Sequence, residues 1–434
     1  MKRGWIVIVL LILVNVTSYA EDNADLWTLA RCQQSAIANS NRLMVSSLAI
    51  ERANADLREA LAEQKGSFEF SATATHISEV MEMELNLPLP PGTPSPTIKF
   101  GDGNSIDMQT AVRVPLYTGG ALTARGNAMR YGDKSAERQA VVDTLDVKLQ
   151  VETAYWMTVG AMAKVNALRQ SLQRLERHKS EIDTLIILGA ATHEMLPVVE
   201  SKILQVNGTL STAYAEVETA KLNLGMIVGK SGELITPETS FESTIKNDSV
   251  NDPFTQSRPE LLTIDARISQ AEAASGIAKA SYLPSLGFVF AYHYAKPGIN
   301  AVANDWMGYY NTGLNVSWTI WDWKARHNRS ARADIIEREL ALRKSEIEDA
   351  LLTREKSSNR RYTAAIEVEE FATNRVMKEK ERLSLLRARY KLGAATESEL
   401  LDVEDDLTSA ETELIEAKVK CQITKAEFQR ATSH

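Results

Sequence analysis

The sequence predicts an α+β membrane protein built by internal duplication. Long α-helical hairpins alternate with four strands per chain, and those strands contribute to a β-barrel shared between copies. Three observations predict this. A five-residue motif recurs at an offset of 204 residues. Four segments alternate apolar and polar residues with the period of a strand. Two stretches of about 70 residues carry no helix breaker strong enough to interrupt an α-helix.

The repeat comes first, because a missed repeat misreads the whole fold. Leu188-Gly189-Ala190-Ala191-Thr192 recurs as Leu392-Gly393-Ala394-Ala395-Thr396. The same offset lays Val114-Pro115-Leu116-Tyr117 onto Trp318-Thr319-Ile320-Trp321. After each motif runs a heptad seam. Leu196, Val199, Ile203, Val206, Leu210, Ala213 and Val217 correspond to Leu400, Val403, Leu407, Ala410, Leu414, Ala417 and Cys421. Upstream the offset becomes about 218, aligning Phe68 and Phe70 with Leu286 and Phe288. The difference falls in a stretch rich in proline and glycine, from Pro88 to Gly103, which reads as a long loop. Repeat 1 therefore covers about 25–230 and repeat 2 about 255–434.

The four alternating segments lie at about 66–76, 104–116, 284–295 and 312–321. Phe68, Phe70 and Ala72 alternate with Glu69, Ser71 and Thr73, and Phe288, Phe290, Tyr292 and Tyr294 alternate with Val289, Ala291 and His293. Each segment has the length of a tilted membrane strand, and Tyr294, Trp318 and Trp321 suit interfacial girdles. The same alternation also fits two soluble hairpins. Four strands cannot close a barrel alone, and an open edge in lipid leaves backbone groups unsatisfied, so copies must share one.

Helix is expected from Tyr117 to Leu188 and again from Trp321 to Leu392, each on the order of 105 Å at 1.5 Å per residue. The tip loops fall at about 188–196 and 392–400. Gly189 and Gly393 suit the position after a helix end, where positive φ is cheap. Thr192 and Thr396 suit N-caps of the returning helices, with Pro197 placed to shift the start of the first.

At the start of the chain, Met1-Lys2-Arg3, the apolar run Trp5–Val14 and Ser18-Tyr19-Ala20 read as a signal peptide over residues 1–20. The net charge of -8 argues against nucleic-acid binding. His76, His178, His193, His293, His327 and His434 are scattered and read as polar surface. No catalytic, cofactor or metal-ligand spacing appears, so neither an enzyme nor a metal site is expected. Cys32 and Cys421 make no redox motif. An exported chain permits a disulfide between them, while the seam position of Cys421 suits a small buried hydrophobe.

Arg258-Pro259-Glu260-Leu261 opening a helix to Ala278-Lys279-Ala280-Ser281-Tyr282-Leu283-Pro284, the exit Val114-Pro115-Leu116-Tyr117-x-Gly119-Gly120, and Arg389, Tyr390, Leu392, Gly393, Thr396, Leu401 and Asp402 at the second tip resemble the TolC-like outer-membrane efflux family. The resemblance implies a homotrimer in the cell outer membrane with an α-helical periplasmic tunnel. It implies docking to an inner-membrane pump through a periplasmic adaptor, and passive conduction in efflux or type I secretion. It places Glu399 and Asp402 at a pore constriction, and it points to Gly189, Thr192, Gly393 and Thr396 as adaptor contacts. Competing readings stand beside these. Thr396-x-x-Glu399 is also a capping box, Asp402 also suits a solvated helix face, and the four tip residues also serve turn and cap geometry alone. At the level of the whole chain, the alternatives are a non-conducting coiled-coil envelope protein and a periplasmic adaptor. Asp322-Trp323-Lys324 departs from the family's glycine pair at the second exit, and the first tip lacks the Arg and Tyr of the second. The cargo and the pump class stay open.

Overall fold

The computed structural model describes residues 26–88, 90, 92–189, 192–238, 240–241 and 257–433. The expected signal peptide, Ala190 and Ala191 of the first tip, and His434 lie outside the described residues. The elements in order are α1 (Leu29–Asn39), α2 (Asn41–Glu63), β1 (Ser67–His76), β2 (Glu82–Glu84), β3 (Thr97–Lys99), β4 (Asn104–Tyr117), α3 (Ala121–Ile187), α4 (Met195–Ile227), α5 (Pro259–Ala280), β5 (Ser285–Lys296), β6 (Met307–Ser317), α6 (Ala325–Lys391) and α7 (Glu397–Thr432). They form two compact units. Of the described residues, one comprises those within 26–38, 150–241 and 365–423, and the other those within 39–149, 257–364 and 424–433.

The second of these units holds an antiparallel sheet of order β1-β4-β5-β6. Its register sorts the side chains by face, because successive residues of a strand point to opposite sides. Phe70 pairs with Thr110, Thr110 with Tyr292 and Tyr292 with Tyr310. Phe68, Phe70, Met108, Phe290, Tyr292, Tyr294, Leu314 and Val316 share that face and are all exposed, Phe68 at 76%. The opposite face carries an ion pair between Arg113 and Glu69. It also carries His293, buried, with Nδ1 3.1 Å from Asp107 and its ring stacked on Tyr309 at 4.8 Å. His293 is thus not polar surface. Its partner lies 186 residues away on the neighbouring strand, beyond any local pattern.

The fourth strand runs from 307 to 317 where 312–321 was expected. Pairing begins earlier, with Met307 opposite Ala295, and stops at Ser317 opposite Ser285. Trp318 then leaves the ladder, its Nε1 donating to the Tyr282 carbonyl at 3.2 Å. The proline-rich loop also contains structure of its own, the short β2–β3 pair, whose Lys99 meets Glu82 at 2.6 Å.

Both strand-to-helix exits turn through two consecutive residues of positive φ. In the first these are Gly119 (65°) and Gly120 (88°), and in the second Trp323 (54°) and Lys324 (68°). Glycine adopts this conformation freely, whereas a side chain there costs on the order of 1–2 kcal/mol per residue. The second exit is held by Asp322, whose Oδ2 accepts from the Arg326 backbone N–H at 2.9 Å and from Arg326 Nε at 3.1 Å.

The other unit is helical, and its core is the pair of seams. In α4, Val199, Val206, Leu210 and Ala213 are buried, and in α7, Leu400, Val403, Leu407, Ala410, Ala417 and Cys421 are buried. Leu175 and Ile182 of α3 close over the first seam, and Val376 and Leu383 of α6 over the second. Cys32 and Cys421 are both buried and are not joined by a disulfide. Burial pushes the Cys32 thiol up to about 11, so it stays protonated near neutral pH.

Candidate functional site

The site is the pair of turns at the helix-hairpin ends, and the two turns are built differently. At the second, Gly393 adopts φ 70° after the last turn of α6. The Gly393 N–H donates to the Tyr390 carbonyl at 3.0 Å and the Ala394 N–H to the Arg389 carbonyl at 2.9 Å, the bond pair of a Schellman motif. Arg389 Nη2 donates back to the Ala394 carbonyl at 3.1 Å and clamps the loop. Thr396 and Glu399 then form a reciprocal capping box. Glu399 Oε2 accepts from the Thr396 N–H at 2.7 Å, and Thr396 Oγ1 accepts from the Glu399 N–H at 3.3 Å.

The first turn shares only part of this. Gly189 adopts φ 74° and its N–H donates to the Ile186 carbonyl at 2.9 Å. Thr192 does not cap α4. That helix starts at Met195, with Glu194 at its boundary and no side-chain cap bond. Pro197 supplies the reason. A proline is accommodated only in the first turn, where its missing N–H is not needed, and a helix begun after Thr192 would put it deeper. The expected cap role of Thr192 is therefore corrected, while that of Thr396 is seen directly.

Beneath the second turn lies a cluster that sequence reasoning missed. His178 of α3 is buried, with Nε2 2.7 Å from Glu397 Oε1 and its ring edge-on to Tyr390 at 5.5 Å between centroids. Burial, then the hydrogen bond to Glu397, pushes the Tyr390 hydroxyl above its ordinary range, so it remains a proton donor. Tyr390 and Glu397 line an open cavity of about 1000 Å³, together with Glu181, Thr184, Met195 and Thr396. His178 was read as surface because its partner is 219 residues away.

The acidic run that follows is mostly neutralised. Arg174 Nε meets Glu404 at 2.8 Å and its Nη1 meets Glu411 at 3.3 Å, while Arg387 also pairs with Glu404. Lys202 holds Asp405, and Arg382 holds Asp406 at 2.8 Å. Glu399 and Asp402 differ, both standing exposed on α7 three positions apart and hence on one face.

The Thr396 backbone N–H, then its hydroxyl, holds the Glu399 carboxyl below the usual range. A depressed folded pKa gives stability that is present above the unfolded value and lost as pH falls through the folded one. The tip cap is therefore expected to loosen only as the pH falls below the range in which an ordinary glutamate titrates. Hydrogen exchange at the Thr396 and Glu399 amides checks this. Glu399→Gln, which keeps a neutral capping partner, should flatten the dependence, and an unchanged profile in that variant would assign the effect elsewhere.

Long helices, a sheet with one apolar face and turns of this kind match the fold of solved outer-membrane channels. Comparison with known proteins agrees. Residues 254–434 match the family described as outer membrane efflux protein. The chain is similar to the cation efflux system protein CusC of Escherichia coli (strain K12), 21% identical over 309 residues, covering 67% of this chain. The match spans 64% of that relative, somewhat under two thirds of its length. The fold resembles the CmeC outer membrane channel of Campylobacter jejuni, with TM-score 0.77, 16% identity, and 93% and 85% of the two chains covered. It also resembles the open state of the MtrE outer membrane channel of Neisseria gonorrhoeae, with TM-score 0.76, 14% identity, and 93% and 88% covered. The chain is TolC-like, as its tip and exit residues led one to expect.

Proposed function

We propose that the chain is the subunit of a homotrimeric channel of the cell outer membrane. It passively conducts cargo delivered by an inner-membrane pump and a periplasmic adaptor, in efflux or type I secretion. One observation carries the reading. The sheet has an exposed apolar face together with two edges, β1 and β6. Such a face belongs in lipid, and lipid does not tolerate an open edge. Closing the barrel with copies of the same sheet meets both demands at once. Among the described residues no helix is long and apolar enough to cross a membrane.

Internal duplication accounts for further coincidences. Helices α3 and α6 each have 67 residues, and the positive-φ pairs of the two exits lie one repeat offset apart. On this reading Glu399 and Asp402 form carboxylate rings where the tunnel narrows, because both stand exposed on one face of α7, and such rings favour cations. Gly189, Thr192, Gly393 and Thr396 form the surface that an adaptor reads.

Purification in mild detergent followed by planar-bilayer recording tests the proposal. The expected result is an oligomer with discrete conductance steps, and a cation preference that falls in the Glu399→Ala/Asp402→Ala double variant. A monodisperse monomer that keeps its β signal would end the shared-barrel reading. Unchanged reversal potential in the double variant would move the constriction away from these two residues.

A further inference from the structure

We infer that the second exit is an anchor for anionic phospholipid, built from Trp323, Lys324 and the first turns of α6. The inference rests on the outer-membrane reading and adds a ligand class and a location to it.

The backbone poses the question. Both exits use the same pair of positive-φ residues. In the first, that geometry is filled by Gly119 and Gly120, and a Cβ on Gly119 would come within 2.7 Å of the Ala280 carbonyl oxygen. The second exit carries a tryptophan and a lysine in the same conformation. Strain of this kind persists where something else rewards the side chains. Within the chain Trp323 finds little reward. It is 85% exposed and meets Trp321 edge-on at 5.8 Å. Lys324 is exposed as well. The reward therefore lies outside the chain.

The surrounding chemistry says what that partner is. Trp318 and Trp321 are 57% and 68% exposed just before the turn, and the sheet's apolar face ends there. Tryptophan at the end of an apolar band sits at headgroup depth. From Lys324 to Arg332 the sequence holds four Lys or Arg and no Asp or Glu, in a chain of net charge -8. The stretch one repeat earlier, 120–128, holds a single Arg. Arg326 is consumed internally by Asp322 and the Ile320 carbonyl. Arg329 reaches the same Asp322 at 3.6 Å but keeps its guanidinium half exposed, Lys324 and Arg332 are exposed, and Arg329 and Arg332 are neighbours on one helix face. Four cations facing one carboxylate, Asp322, leave an excess of positive charge beside the indole rings, which complements the phosphates of an anionic bilayer surface. Lysine can also lay its apolar stem along the lipid and keep its ammonium in water.

The test uses the full chain reconstituted in vesicles. The emission difference between wild type and Trp323→Phe isolates Trp323. Brominated phosphatidylcholine and brominated phosphatidylglycerol serve as contact quenchers. The expected result is that Trp323 is quenched by both, with a higher association constant for phosphatidylglycerol. Lys324→Gln/Arg329→Gln/Arg332→Gln should lower that preference, about fivefold for each charge removed. Lys324→Gly restores one glycine of the first exit and keeps the Trp323 signal. It should unfold in detergent at a temperature no lower than wild type while its lipid preference falls about fivefold, which separates anchoring from folding. Quenching of the other tryptophans with Trp323 untouched would overturn the anchor and leave the membrane reading intact. So would a full phosphatidylglycerol preference in the triple variant. A chain that does not incorporate into vesicles at all would overturn the membrane reading, and the anchor with it.

Discussion

Replacing Arg174 with methionine is expected to destabilise the helical unit by about 3–5 kcal/mol. The Arg174 side chain is only 11% exposed and stands between Glu404, 5% exposed, and Glu411, 11% exposed. Its Nη2 also donates to Thr408 Oγ1 at 3.1 Å. Methionine fills much the same volume, so the loss is electrostatic and not a cavity. Two carboxylates would be left in a poorly hydrated place with like charge beside them. Arg387 still reaches Glu404 and Lys380 still reaches Glu411 at 3.7 Å, but they are 40% and 60% exposed, which puts the loss toward the lower end of the range. Removing the acids as well, in Arg174→Met/Glu404→Leu/Glu411→Leu, should recover most of it, because well-packed apolar residues often replace a buried ion network at no cost. Thermal unfolding, with hydrogen exchange along α7, measures both. A loss below about 1 kcal/mol in the single variant would mean that the network is solvated, as surface pairs are.

Gly119→Ala is expected to cost on the order of 3 kcal/mol, from two separate sources. Alanine at φ 65° is strained by itself, and its Cβ would lie 2.7 Å from the Ala280 oxygen and 2.9 Å from Leu283 Cβ. The first obstacle is backbone at the end of α5, so the exit and that helix must move apart. Gly120→Ala is the control. Its φ is 88° but no atom lies within 4 Å of the added Cβ, so only the conformational cost of about 1 kcal/mol remains. Equal losses in the two variants would show that the close approach to Ala280 relaxes freely.

What could be read from the sequence was what repeats locally. The seams from Leu196 to Val217 and from Leu400 to Cys421 follow from heptad spacing, and their members are buried or half-buried. Strand alternation sorted Phe68, Phe290 and Tyr292 from Glu69 and His293 for the same reason. Capping by Thr396 and Glu399 was visible because both partners sit within one turn. What stayed hidden depends on distant partners or on competition between neighbours. His178 looked like surface because Glu397 belongs to another hairpin. Arg174 gave no signal because its acids lie 230 and 237 residues away. Thr192 had the residue type and spacing of a cap, but Pro197 outweighed it in setting the helix start. Among the site residues, the sequence pointed to the two turns and left unseen the polar support under the second.

The state of the two thiols makes the molecule convenient for labelling. Cys32 and Cys421 are 0% and 1% exposed, and Cys32 holds its proton well above the pH of ordinary maleimide chemistry. A cysteine introduced at an exposed position such as Asp402 would therefore react against a quiet background, with no need to remove the native pair. Spin labels or fluorophores placed at either turn could then follow its motion in the otherwise unaltered chain.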